Sequence, residues 1–247
     1  LDASGAASIT TTDIDNGSSD NCSITLSLDI TSFDCNDVGT NTVTLTATDA
    51  NSNSTSATAV ATVVDNISPT VLTNNVTVYL DASGAASITT ADIDNGSSDN
   101  CRINTFTLTN TSFDCNDLGT NTVTLIASDP NGNIDFATAV VTVVDNISPT
   151  VVTNNVTVYL DASGAASITT ADIDNSSSDN CSITLSLDIT SFDCSDVGTN
   201  TVTLRATDVN SNSSSATAVV TVVDNMSPTV LTNNITVYLD ASGAASI

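Results

Sequence analysis

The chain has no glutamate, lysine, histidine or tryptophan, and its only cations are Arg102 and Arg205. All 28 acidic residues are therefore aspartates, and the formal charge of the 247 residues is −26. A polyanion of this kind repels itself and cannot make an ordinary set of surface ion pairs, which excludes nucleic acid and anionic membrane as partners. The usual general bases and nucleophiles are missing, and the many serines and threonines have nothing to activate them. Aspartates alone could form a glycosidase pair, but aromatic residues make up only 3% of the chain, too few for sugar platforms. The chain is expected not to be an enzyme. No apolar run approaches membrane-spanning length, so direct membrane insertion is not expected.

What is present argues against disorder, the common reading of high negative charge. Hydrophobic residues are 40% of the chain, and valine, isoleucine and threonine fall in alternating runs. "LDASGAASI" begins at Leu1, Leu80, Leu160 and Leu239, a period of 79 or 80 residues that suits one small domain per repeat. Because the chain opens and closes on the same nine residues, it reads as a slice from a longer array. "VVDNISPTV" at Val63 to Val71, with counterparts at Val143 and Val222, marks the boundaries, since proline cannot continue a ladder. The expected domains are 1–66, lacking its first strand, 67–146 and 147–225, both complete, and 226–247, the opening strands of another.

No segment carries helical periodicity. In the middle repeat "NVTVYL", the turn "DASG" and "AASIT" read as a hairpin. Cys101 to Cys115 reads as strand, turn, strand, with the cysteines at the open end. "NTVTLIASD" and "IDFATAVVTVV", joined by "PNGN", form the clearest hairpin. Six or seven short strands in about 80 residues predict an all-β chain, a tandem array of immunoglobulin-like β-sandwiches.

Three segments carry candidate chemistry. "DIDNGSSDNC" spans Asp13 to Cys22 and returns at Asp92 to Cys101 and, as "DIDNSSSDNC", at Asp172 to Cys181. It offers Asp13, Asp15, Asp20 and Asn21, then Asp92, Asp94, Asp99 and Asn100, then Asp172, Asp174, Asp179 and Asn180. Three carboxylates so close repel one another by on the order of 3 kcal/mol per contact at ~5 Å and an effective dielectric near 20. A divalent cation, calcium above all, removes that conflict, but it wants six to eight oxygens. One loop supplies only some of these. The boundary pairs Asp65–Asn66, Asp145–Asn146 and Asp224–Asn225 could add more. So could the hairpin turns with Asp49, Asn51 and Asn53, with Asp129, Asn131 and Asn133, and with Asp208, Asn210 and Asn212. The competing reading is turn chemistry, because Asp, Asn, Gly and Ser are turn formers. Whether the loops meet at a junction depends on strand parity: seven strands bring them together at the incoming linker, six separate them.

Six cysteines fall two per repeat, Cys22 and Cys35, Cys101 and Cys115, Cys181 and Cys194, which suggests disulfides and an oxidising, extracellular location. Buried free thiols are the alternative. Zinc fits less well, because two thiols without histidine leave its coordination unfinished.

At Asp-Asn-Cys, the "VTL.A.D..N" hairpin and the proline-started boundary, the chain resembles HYR-type immunoglobulin-like repeats. "DASGAASITTADIDNGSSDNC", "SFDC" and "GTNTVTL" are most similar to the repeat arrays of Bacteroidota surface proteins of the SprB-type gliding-motility adhesin family. The boundary Asp-Asn pairs resemble cadherin linkers, in which neighbouring domains share calcium. The resemblance implies a very large filament, exported by type IX secretion to the cell surface, that grips the substratum during gliding. The second cysteine departs from the HYR pattern by sitting in "SFDC" and not in the last strand. A local disulfide within each repeat is expected on that account. Expected partners are neighbouring repeats of the same chain, other filament strands and surface polysaccharide. The alternative function is a repeated, weak polysaccharide-binding module acting by avidity, which exposure of Phe106 and Phe136 would favour.

Overall fold

The computed structural model describes residues 1–245, which divide into two compact units, Leu1–Ile147 and the described residues from Ser148 onward. In the first unit the middle repeat is organised around its long hairpin. Gly119–Ser128 runs antiparallel to Ile134–Val144, with Gly119 opposite Val143 and Ser128 opposite Ile134. Alternation with threonine turns Val123, Leu125 and Ala127 inward beside Ala139, Val141 and Val143, none more than 2% exposed. The connecting turn closes by Asp129 N–H donating to the Asn133 carbonyl at 3.1 Å, with Gly132 at φ +89°.

Thr105–Leu108 lies antiparallel on the outer edge of Gly119–Ser128, and Val76–Tyr79 pairs parallel with the end of Ile134–Val144. A second, smaller layer pairs Ala85–Ser87 with Ser112–Asp114, and the entering segment adds bridges from Thr70 to Ser98 and from Thr73 to Asp94. Leu80, Ile88, Ile93 and Phe113 are buried with the long hairpin's inward residues. This is an immunoglobulin-like sandwich with an almost wholly aliphatic core.

The first repeat, in the same unit, keeps Ile24–Leu28, Gly39–Asp49 and Ser54–Val63 in one sheet and Ala7–Ser8 with Ser32–Phe33 in another. It has no parallel edge strand beside Ser54–Val63, and Val60 and Val64 are 67% and 58% exposed. In the second unit Val156–Tyr159, Ser213–Val223, Gly198–Asp208 and Ile183–Leu187 form the larger sheet, with Ala165–Ser167 and Ser191–Asp193 opposite. Residues 224–245 carry no strand, although the turn Asp240 N–H to Ala244 carbonyl forms. The expected opening strands at 226–247 are thus absent over the described part. Their counterpart Val76–Tyr79 pairs with residues 65 positions later, Val76 with Val141, and residue 235 has no such partner within the chain.

Two local expectations are corrected. "NVTVYL" and "AASIT" do not form a hairpin: Leu80 is buried, the turn at Asp81 passes the chain to the opposite layer, and the two strands pair elsewhere. Likewise Thr105–Leu108 and Ser112–Asp114 belong to different layers, so the cysteines flanking them are not at the open end of a hairpin. Short helical turns, Thr11–Ile14, Thr90–Ile93 and Thr170–Ile173, stand where the "DID" motif begins.

Candidate metal centre

The acids of the middle "DIDNGSSDNC" do two different jobs. Thr89 caps the turn Thr90–Ile93, and Asp92 Oδ2 accepts from both Thr89 N–H and Thr89 Oγ1 at 2.7 Å. Those bonds, the hydroxyl's first and the amide's second, hold the Asp92 carboxyl below the usual range. Asp13 and Asp172 are held low by the same two contacts, from Thr10 and Thr169. Asp94 accepts from Ser97 N–H at 3.0 Å, as Asp15 and Asp174 do from Ser18 and Ser177. These six carboxylates are engaged by caps and turns, whereas the sequence makes every acid of each loop a candidate ligand.

Asp99 behaves differently. Its Oδ2 accepts from Cys101 N–H and Arg102 N–H, both at 3.1 Å, which aims Oδ1 away from its own loop. One carboxylate oxygen each of Asp99, Asp65 and Asp129 lie within 4.8 Å of one another. Asp65 comes from the end of the first repeat, Asp99 from the loop of the second and Asp129 from the start of its hairpin turn. Strand parity delivers two of them. Asp129 continues the inward series Val123, Leu125, Ala127, and Asp65 follows the inward Val63; the two aspartates are each 3% exposed.

The donor set is left open. Asp65 Oδ1 accepts from Asn100 Nδ2 at 3.1 Å and Ile67 N–H at 3.3 Å, while its Oδ2 is buried without a hydrogen-bond partner. Asp99 Oδ1 and Asn100 Oδ1 are also buried and partnerless. Asp129 accepts from Asn131 N–H, Asn133 N–H and Asn133 Nδ2. At 4.8 Å and an effective dielectric near 20, each carboxylate pair repels by on the order of 3 kcal/mol. Three such pairs are comparable with the whole stability of a small domain, about 5–15 kcal/mol. Buried acceptors without donors add a further cost. Oxygen-only donors drawn from carboxylates and an amide fit a hard divalent cation and leave zinc's nitrogen or sulfur preference unmet.

The other expected ligands fall outside this cluster. Asn66 is exposed beside buried Asp65, because an extended linker sends successive side chains to opposite sides. Asn146 and Asn225 are exposed in the same way, and so is Asp224. Asn131 is exposed and Asn133 is a donor, tying Asp65's carbonyl (3.2 Å) to Asp129 Oδ2 (2.7 Å). Asn51 and Asn53 serve Asp49, and Asn212 serves Asp208, as turn donors; Asn210 is exposed. Asp20 and Asn21 are exposed, Asp179 and Asn180 half-buried, and Asp145 and Asp208 buried.

A covalent link stands beside the cluster. Cys35 of the first repeat is bonded to Cys101 of the second, with Cα atoms 5.5 Å apart and a sequence separation of 66. The local pairings Cys22–Cys35, Cys101–Cys115 and Cys181–Cys194 are not formed: Cys22 and Cys194 are free and exposed, and Cys115 and Cys181 are disulfide-bonded. The strands that follow Cys101 and precede Cys115 pair in different layers, so the two cysteines do not face each other across one hairpin. Gly5 permits the contact. It sits at φ +77°, and a Cβ there would lie 2.7 Å from both the Asn100 carbonyl oxygen and Cys35 Sγ.

No protein-family model matches the chain, and no curated protein matches it. Among solved structures it is similar to the extracellular cadherin domains 1–4 of Protocadherin Gamma B7, at 13% identity and a TM-score of 0.36, over 82% of this chain and 67% of that one. It is also similar to mouse Cadherin-23 EC22–24, at 15% identity and 0.35, over 81% and 86%. Human CDH23 EC21–23 gives 18% identity and 0.38, over 74% of each chain.

Proposed function

We propose that the chain is a structural repeat segment of an extracellular, cell-surface filament, in which a divalent cation and a disulfide together fix one repeat to the next. The observation that carries this reading is the convergence of Asp65, Asp99 and Asp129 from two repeats, with three buried oxygens lacking donors. Calcium suits the site better than magnesium, because an irregular set of carboxylates and an amide matches its flexible coordination. The SprB-type resemblance adds that the filament is a gliding-motility adhesin; near-identical repetition supports a spacer, which needs length and not variety. Titrating the metal-stripped chain with calcium tests the reading. Saturable heat and a raised melting temperature are expected, both diminished in Asp65→Asn. Neither effect in the unaltered chain would contradict it.

The adhesion-module alternative has one supporting observation. Phe136 and Ile134 are 65% and 58% exposed on the outward face of the middle repeat, whereas Phe106 is half-buried. Glycan binding that is abolished by Phe136→Ser would favour it.

A further inference from the structure

The second repeat departs from the other two beside the sulfur bridge. The residue after the "DNC" cysteine is serine in the first and third repeats, Ser23 and Ser182, and Arg102 in the second. The residue after the hairpin-turn aspartate is Ala50 in the first, Val209 in the third and Pro130 in the second. Both departures line one cavity of about 560 Å³ where the first two repeats meet, a volume in the range that holds small ligands.

The cavity has two walls. Asn36 and Val38, just after Cys35, come from the first repeat; Arg102, Pro130 and Asn131 come from the second. The Cys35–Cys101 bond ties the walls together. The polar side chains between them are unengaged. Arg102 N–H donates to Asp99, but its guanidinium makes no hydrogen bond or ion pair among the described residues. Asn36 and Asn131 donate their main-chain N–H groups to Asp34 and Asp129, while their side-chain amides bond to nothing among the described residues. A cation present only to offset acids would pair with one, in a chain that has 28 of them. Arg102 instead stands exposed on the cavity wall. Beside it the proline ring fixes φ at Pro130, so this wall is set before any ligand arrives.

We propose that this cavity binds a single carboxylated sugar unit, a uronic acid. The Arg102 guanidinium donates a pair of parallel hydrogen bonds to the carboxylate, a geometry its planar fork matches. The amides of Asn36 and Asn131 each donate and accept, as ring hydroxyls require. Val38 and the Pro130 ring offer apolar surface to the C–H face of the sugar. A simple inorganic anion would leave the amides and the apolar surface unused. The charge of the chain opposes anions in general, and Asp99 lies close by in sequence. A dication among Asp65, Asp99 and Asp129 takes their summed charge from −3 to −1, so affinity for the sugar rises with calcium. That coupling rests on the metal reading above; the cavity and its guanidinium do not.

The test titrates galacturonate into the full, disulfide-bonded chain, followed by NMR at fixed free calcium and again in EDTA. Saturable shifts are expected in calcium. Methyl galactoside, which keeps the hydroxyls and lacks the carboxylate, and acetate, which keeps only the carboxylate, are each expected to bind about tenfold more weakly or worse. Arg102→Gln changes an exposed, unpartnered side chain, so it should keep the parent melting temperature while losing about tenfold in galacturonate affinity. No saturable binding in either condition, undiminished binding by Arg102→Gln, or equal binding of methyl galactoside or acetate would overturn the proposal. Calcium calorimetry on the same sample keeps the two readings apart: calcium binding without galacturonate binding sinks the pocket alone. Galacturonate binding equally tight in calcium and in EDTA would remove the coupling to metal and leave the pocket standing.

Discussion

Asp92 and Asp129 show that identical side chains in one repeat have separable consequences. Asp92 is a cap, with its carboxyl depressed by Thr89. A depressed value means its contribution is complete above the unfolded value, near 3.8, and disappears as pH falls through the folded one. Asp92→Asn should therefore lower the urea midpoint at neutral pH, with the gap to the parent chain closing below about pH 4. Asp129 sits among like charges, so its substitution should change sign with metal. Without metal, Asp129→Asn relieves repulsion and raises the melting temperature; with calcium the variant melts below the parent chain and binds calcium at least tenfold more weakly. Thermal melts in EDTA and in calcium measure both. Asp65 and Asp129 were read from the sequence only as boundary and hairpin-turn candidates; what separates them from the many turn aspartates is that each continues the inward parity of a strand, as in Val123, Leu125, Ala127, Asp129. Asp92 and Asp94 read alike in the sequence because the motif "DIDN" serves capping and metal binding equally well.

At the scale of elements, the long hairpin was legible because its alternation and its "PNGN" turn are both local. The partner of "NVTVYL" was not, since a short alternating strand beside a turn reads the same whether the chain returns to its own layer or crosses to the other. The disulfide was hidden for the same reason: the thiol nearest in sequence to Cys101 within its repeat is Cys115, but the layer switch gives it Cys35. In the chain-entropy model, closing a loop of this length is worth about 4 kcal/mol, against about 3 for a local loop of 15 residues. Placement matters as much as magnitude. Cys101 adjoins Asn100 and its N–H holds Asp99, so the bond keeps two candidate ligand residues next to Asp65. Metal binding and the disulfide should then reinforce each other reciprocally. Calcium is expected to slow reduction of Cys35–Cys101 by a small phosphine, and Cys35→Ser with Cys101→Ser to weaken calcium binding. Calorimetry on the double variant and alkylation kinetics on the parent chain would read the two sides; an effect on one without the other would break the linkage.

For the whole molecule, a charge of −26 is set against two arginines, of which Arg102 lies at the first junction beside Cys35 and Cys101. The small aliphatic cores make each sandwich, and the shortened first repeat has the weakest, with Phe33, Val43 and Val63 at its centre. What joins the first sandwich to the second includes one sulfur bridge, one glycine-sized contact, hydrogen bonds from Asn100 and Asn133 to Asp65, and a pocket of oxygens lacking donors. The measurement that tests this most directly is anomalous diffraction from crystals of the chain grown in calcium. The account predicts a calcium peak bounded by Asp65 Oδ2, Asp99 Oδ1 and a carboxylate oxygen of Asp129. Water alone at that position, with the three aspartates turned apart, would contradict it.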